Sequence, residues 1–191
     1  MKQFLSSVIV MTFLCSSAAF AQEKHVSKEE KESNQPHHRI TLLMENSHIP
    51  QISEDIGSAR RFVVPAWGLD YDFWLNAKWA IGLHSDLILQ QYEIEREEDS
   101  TTFSRTNPIT STLVGIYKPT RHLALLAGVG REFEKEQDFN LVEFGAEYGV
   151  EILKNCELSL NIKYEDKFNA YNSWMFGVGF SKLFYSGRKK D

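Results

Sequence analysis

The sequence predicts an all-β fold, an eight-stranded antiparallel up-and-down transmembrane β-barrel. Three observations predict it. Long stretches alternate apolar and polar residues with period two, which fits strands and not helices. Most of these stretches run about ten residues or more, whereas globular strands usually have about five or six, and about nine to eleven are needed to cross a bilayer at a tilt. The connections between them alternate long and short, which sets the longer loops at one rim of a barrel and the tight turns at the other.

The first residues read as an export signal rather than as fold. Lys2 supplies a basic region, residues 4–13 are mostly apolar, and Ala19-Phe20-Ala21 is a small-x-small cleavage site. Residues 1–21 are therefore a signal peptide, the mature chain starts at Gln22, and the protein leaves the cytoplasm. Leu14 precedes Cys15, where a lipoprotein would need a small residue. Cys15 departs with the signal, and the remaining thiol, Cys156, has no internal disulfide partner. The mature chain of about 170 residues suits one domain. Without Lys2 its net charge is about −6, and its only basic cluster is the tail 186–191, so no nucleic-acid partner is expected. Residues 22–38 are almost free of apolar side chains and read as a disordered polar leader. Its His25, His37 and His38 lack a fixed ligand geometry, and no cofactor or metal is expected.

The barrel domain, 39–185, divides in order into strands at 39–46, 62–75, 79–93, 108–118, 122–133, 140–152, 157–167 and 173–184. Residues 47–61 and 94–107 are long loops, 134–139 is a longer connection and 168–172 a medium one. The connections at 76–78, 119–121 and 153–156 are short. The stretch VEFGAEYGVEI at 142–152 shows the alternation best, with Val142, Phe144, Ala146, Tyr148, Val150 and Ile152 opposite Glu143, Gly145, Glu147, Gly149 and Glu151. The second strand sets Trp67, Leu69, Tyr71 and Phe73 against Gly68, Asp70 and Asp72. The seventh sets Leu158, Leu160, Ile162 and Tyr164 against Ser159, Asn161, Lys163 and Glu165. The fourth and fifth strands are apolar or small on both faces, and alternation does not assign their facing.

Two barrels fit these faces. A soluble lipocalin-like binding barrel would turn the aromatic face inward and the carboxylates to water. Its exterior should then carry charge on every strand, yet the polar positions of strands four, five and eight are Thr110, Thr112, Gly128, Gly130, Gly177 and Gly179. Small residues suit a crowded lumen, and the Gly-x-Trp of a lipocalin first strand is absent. A membrane barrel turns the apolar face to lipid. Trp67, Phe73, Trp79, Tyr117, Trp174 and Phe184 then become candidate membrane-interface aromatics. Lys182 shares the outward parity of the last strand but sits near its end, within reach of the interface.

The run SWMFGVGFSKLF, with alternating aromatics ending at Phe184, resembles the closing strand of small outer-membrane β-barrel proteins of the OmpA/OmpX type. The resemblance spans the signal peptide and nearly all of 39–184, on patterns rather than fixed residues. It implies a bacterial outer-membrane location, outer-membrane lipid as surroundings, and recognition of Phe184 by the barrel-assembly machinery. Family members typically end at that aromatic, whereas this chain continues to Asp191.

An eight-stranded lumen is narrow enough for side chains to fill. The inward polar set is Arg39, Glu45, Asp70, Asp72, His84, Asp86, Glu143, Glu147, Glu151, Lys163 and Glu165, with acids outnumbering bases. It reads as a salt-bridged, partly wet plug, in a protein with a structural, adhesive or surface-interaction role. The alternative is a narrow cation-preferring conduit, since carboxylate rings favour cations. A lipid-modifying enzyme, an acyl hydrolase or acyltransferase, is a further alternative suggested by Gly82-Leu83-His84-Ser85-Asp86, but alternation puts Ser85 on the face opposite His84 and Asp86, and no catalytic residue is assigned. Glu95, Glu97, Glu98 and Asp99 in the acidic loop are weak candidates for Ca²⁺ or for divalent bridging to lipopolysaccharide, because their spacing is not that of an EF-hand loop. The lone histidines His48 and His84 read as structural, and the sequence identifies no protein partner.

Overall fold

A computed structural model describes residues 35–52, 59–95, 102–135 and 137–185. Ten strands are present among them: β1 (His37–Ile52), β2 (Ala59–Trp74), β3 (Trp79–Ile88), β4 (Gln91–Glu95), β5 (Thr102–Thr106), β6 (Ile109–Tyr117), β7 (Leu123–Phe133), β8 (Phe139–Leu153), β9 (Cys156–Lys167) and β10 (Tyr171–Tyr185). Eight of them close into an antiparallel barrel in the order β1-β10-β9-β8-β7-β6-β3-β2. Closure pairs the first strand with the last, from His37↔Tyr185 to His48↔Trp174, and leaves no unpaired edge in the wall.

The turns follow from local chemistry. Asn76 Oδ1 accepts hydrogen bonds from the backbone N–H groups of Lys78 at 2.9 Å and Trp79 at 3.1 Å, an Asx turn that joins β2 to β3. Asn155 and Asn169 take φ of 59° and 58°, the left-handed region that asparagine tolerates, between β8 and β9 and between β9 and β10. The two chain ends of the barrel, at His37 and Tyr185, share one rim with the tight turns. That rim is called terminal below, and the opposite one distal.

At the distal rim the structure corrects two expected loops. Residues 47–61 are not one long loop: β1 continues to Ile52 and β2 begins at Ala59, paired through Ile52↔Ala59. This hairpin outruns its neighbours, because β10 reaches β1 only as far as His48 and β3 reaches β2 only from Ala66. Residues 94–107 are also not a simple loop, and the third strand stops at Ile88 instead of continuing to 93. The β3–β6 ladder ends at Leu87↔Ile109, after which the chain leaves the wall and β4 pairs with β5 as a separate hairpin. Period-two alternation persists through Tyr92 and Ile94, so the pattern alone did not mark the exit. At the N-terminal end the strand starts at His37, two residues ahead of the expected start. The expected signal peptide and most of the expected leader, including His25, lie outside the described residues, as do 186–191.

Alternation sorts side chains between two environments. Outward residues are large and apolar: Leu113, Leu160 and Val129 are 58, 62 and 63 % exposed. Inward residues are buried and largely polar. At about 25 cal/mol per Å² an uncovered apolar belt of this kind is costly in water and costless in hydrocarbon.

Candidate functional site: the charged lumen

The lumen is built in layers. Near the terminal rim Arg39 of β1, 2 % exposed, reaches carboxylates on three other strands. Its Nε lies 2.8 Å from Asp72 Oδ2, and its Nη1 lies 2.5 Å from Glu147 Oε1 and 3.6 Å from Glu157 Oε2. Lys118 adds a contact of 3.4 Å to Glu157 Oε1. Both cations lie over the buried Trp74 ring, at 5.5 and 5.4 Å from its centroid. Beside them Trp74, Ala80, Val114, Ile116, Ala124 and Leu126 form an apolar cluster along the wall made by β2, β3, β6 and β7.

Across the middle, Lys163 of β9 places its Nζ 2.9 Å from both oxygens of Asp86 on β3 and 3.1 Å from Glu45 Oε1 on β1. In the closed order β9 and β3 stand four positions apart, so this pair spans the barrel's diameter. His84 lies between three acids: Nε2 is 3.0 Å from Asp72 Oδ1, while Nδ1 is 3.5 Å from Asp70 Oδ2 and 3.8 Å from Glu143 Oε1. Glycines make room for these groups. A Cβ on Gly177 would stand 2.5 Å from Glu45 Cγ, and one on Gly179 2.6 Å from Ser159 Oγ.

Toward the distal rim Lys167 pairs with Glu165, donates to Ser173 Oγ at 2.7 Å, and lies 3.7 Å from Glu132 Oε2. Tyr171 donates to Glu132 Oε2 at 2.6 Å, and its hydroxyl meets that of Tyr92 at 2.9 Å. Arg105 of the external hairpin reaches back to pair with Glu132 and donates to the Gln137 carbonyl at 2.5 Å. Burial opposes the charge on Arg105, but Glu132 beside it prevails and holds the guanidinium pKa above its ordinary value. Burial, aided by Glu132, pushes the Tyr92 phenol upward, so it remains a donor. Ile49, Val64, Ala66, Ile88, Tyr92, Tyr171 and Met175 close over this layer as an apolar cap.

Ten of the eleven expected lumen residues are buried within: Arg39, Glu45, Asp70, Asp72, His84, Asp86, Glu143, Glu147, Lys163 and Glu165. Glu151 is a correction. It is exposed near the β8–β9 turn, where the register slips between Glu151 and Leu153, and its Oε1 accepts from Asn155 N at 3.2 Å. Sequence reasoning missed Glu132, Glu157, Lys167, Ser173 and Arg105. Glu157 and Lys167 share the parity of Lys163, so extending the alternation to the strand ends finds them. Arg105 sat in an expected loop and gave no such signal.

The facing of β6 and β7 is now assigned: Thr110, Thr112, Val114 and Ile116 point inward, as do Ala124, Leu126 and Glu132. The interface aromatics all face outward. Trp67, Trp79, Tyr117 and Phe184 are exposed, and Phe73 and Trp174 are half-buried by neighbours such as His38 and Tyr164. Lys182 is exposed and donates to Cys156 Sγ at 3.4 Å. His48 packs edge-on to Phe176 on the outer face. Ser85 faces outward with its Oγ 3.4 Å from that of Ser111, away from His84. Asp86, Glu143 and Glu165 bring carboxylate oxygens within 4.8 Å of one another, which makes them the group among the described residues able to hold a metal ion. Of the acidic loop, 96–101 lies outside the described residues.

No protein-family model and no curated protein sequence matches the chain. Solved structures do. OprG of Pseudomonas aeruginosa, an outer membrane protein, aligns at a TM-score of 0.59 and 13 % identity, over 81 % of this chain and 99 % of that one. The N-terminal β-barrel domain of OprF from the same organism aligns at 0.51 and 13 %, over 78 % and 100 %. Ail, the attachment invasion locus protein of Yersinia pestis, solved with the heparin analogue sucrose octasulfate, aligns at 0.50 and 15 %, over 77 % and 99 %. At these identities the likeness is one of fold, and it agrees with the closed wall and apolar belt: this chain has the fold of the small eight-stranded outer-membrane β-barrels.

Proposed function

We propose that this chain is an exported bacterial outer-membrane protein whose lumen is a structural plug and whose working surface is the distal rim. The observation that carries the plug is the Lys163–Asp86 pair across the diameter, with side chains 2 and 3 % exposed. An ion passing through would have to break it, and breaking a buried pair costs about 3–5 kcal/mol. Planar-bilayer recordings of the refolded barrel are expected to show no conductance steps, and regular cation-selective steps would replace the plug with a conduit.

The surface role is supported by the two distal hairpins, β1–β2 and β4–β5. Loops held on a rigid scaffold commonly carry function. An attachment role of the kind named for Ail fits this placement, but the hairpin chemistry argues for a different partner. Residues 90–107 carry five acids against two arginines, which repels a polyanion and favours a cationic surface or lipopolysaccharide bridged by divalent ions. Orientation is tested by adding trypsin to intact cells. Cleavage at Arg96 is expected, and cleavage only after the outer membrane is opened would overturn it. The proposal assigns no catalysis: the hydrogen-bond partner of His84 is the carboxylate of Asp72, and Ser173 Oγ is shared between Lys167 and the Glu165 carboxylate.

A further inference from the structure

The middle of the lumen is over-supplied with negative charge. With Asp72 paired to Arg39, five carboxylates, Glu45, Asp70, Asp86, Glu143 and Glu165, meet two ammonium groups, Lys163 and Lys167, and one imidazole, His84, among the described residues there. The further contact of Lys167 to Glu132 is balanced by Arg105. At least two negative charges are left over, in residues 0–5 % exposed. Uncompensated carboxylates at such burial are strongly unfavourable.

The hydrogen-bond pattern locates the deficit. Both oxygens of Glu143 and Oε1 of Glu165 are buried and accept no hydrogen bond from the protein. His84 Nδ1, at 3.8 Å from Glu143 Oε1, is outside hydrogen-bonding range. Asp86, by contrast, spends both oxygens on Lys163, and Glu165 spends its Oε2 on Lys167 and Ser173. Glu45 Oε1 and Oε2 and Asp70 Oδ1 accept no hydrogen bond either, but Glu45 Oε1 has Lys163 Nζ at 3.1 Å, whereas Glu143 and Glu165 are two of the three residues whose carboxylates lie within 4.8 Å of one another. We propose that Asp86, Glu143 and Glu165 form a divalent-cation site of the Ca²⁺ type inside the barrel. Three hard oxygen ligands suit Ca²⁺, whose contacts run about 2.3–2.6 Å, so oxygens this close can close on one ion with small side-chain shifts. Mg²⁺ fits less well, since it requires near-octahedral contacts of about 2.0–2.1 Å. Glu143 supplies the free carboxylate, Glu165 its unused oxygen, and Asp86 bridges the ion and Lys163. The ion ties β3, β8 and β9 together from within. This goes beyond the surface role above and does not depend on what the distal hairpins bind.

The test uses the full mature chain, refolded into detergent micelles in CaCl₂, desalted, and analysed by elemental mass spectrometry. Wild type is expected to retain about one Ca²⁺ per folded chain, as burial slows exchange. Glu143→Gln is expected to lose it while keeping the heat-modifiable gel mobility of a folded barrel, and Glu151→Gln, an exposed acid outside the cluster, to keep it. If Glu143→Gln does not fold, Glu165→Gln takes its place, and if neither folds the wild-type metal content decides alone. Desalted wild type without stoichiometric Ca²⁺, or a folded Glu143→Gln that binds as much as wild type, would overturn the site and assign the neutralisation to protons instead.

Discussion

The β9 wall and the β6–β7 wall face one lumen with opposite chemistry. β9 turns Glu157, Ser159, Asn161, Lys163, Glu165 and Lys167 inward and Leu158 and Leu160 outward. β6 and β7 turn Val114, Ile116, Ala124 and Leu126 inward, under an outer face of Leu113, Leu125 and Val129. The first wall is held to the far side by ion pairs, the second by apolar packing against Trp74. One barrel therefore combines a polar interior, where a lost partner strands a charge, with an apolar interior, where a lost methyl leaves a small void.

The largest effect is expected from the polar wall. Lys163→Met strands Glu45 and Asp86 and should lower unfolding stability by about 3–5 kcal/mol, read from urea titration of the barrel in lipid vesicles by tryptophan fluorescence. A loss below about 1 kcal/mol would mean that the pair is dispensable or well hydrated. Next comes the reverse experiment on the same strand: Leu160→Arg puts a charge on the outer face near mid-wall and should cost about 2–4 kcal/mol in vesicles. The comparison fails if this variant is as stable as wild type in a bilayer.

Smaller effects come from the apolar wall. A Cβ on Gly128 of β7 would sit 2.6 Å from the Leu113 carbonyl oxygen and 2.6 Å from Val114 Cγ1, so Gly128→Ala should cost about 1–3 kcal/mol in the same titration. On β6, Gly115 faces outward, and its nearest atom, the Ala127 carbonyl oxygen, is 3.9 Å away, so Gly115→Ala should stay within about 0.5 kcal/mol of wild type. Equal losses at the two glycines would contradict the facing of this wall. Smallest of the destabilising changes is Ile116→Val, at about 0.5–1.5 kcal/mol, the usual cost of one buried methyl group.

The same contrast explains what the sequence made legible. Where one face is apolar and the other charged, as in β1, β2, β3, β8 and β9, alternation separates the two faces, and ten of the eleven expected lumen residues are buried. Where both faces are apolar, as in β6 and β7, period two is still present in the backbone but invisible in the side chains. Glu151 carried the right parity and was misplaced, because a register slip and a tight turn bring that end of β8 into solvent. The β4–β5 hairpin falls across an expected strand and an expected loop, since nothing local marks where β3 leaves the wall. That exit depends on where its partner β6 begins, which is a tertiary fact. Arg105 belongs to this class too: it acts on Glu132 across 27 residues of chain, a contact set by folding and not by spacing.

The central claim is that the ring-rich face meets hydrocarbon and the charged face does not, and the four tryptophans test it most directly. Trp67, Trp79 and Trp174 point outward, whereas Trp74 is 3 % exposed inside, under Arg39 and Lys118. Single-tryptophan variants folded into vesicles of brominated lipid are expected to lose fluorescence at positions 67, 79 and 174 and to keep it at 74. Strong quenching of Trp74 with the other three protected would contradict the account.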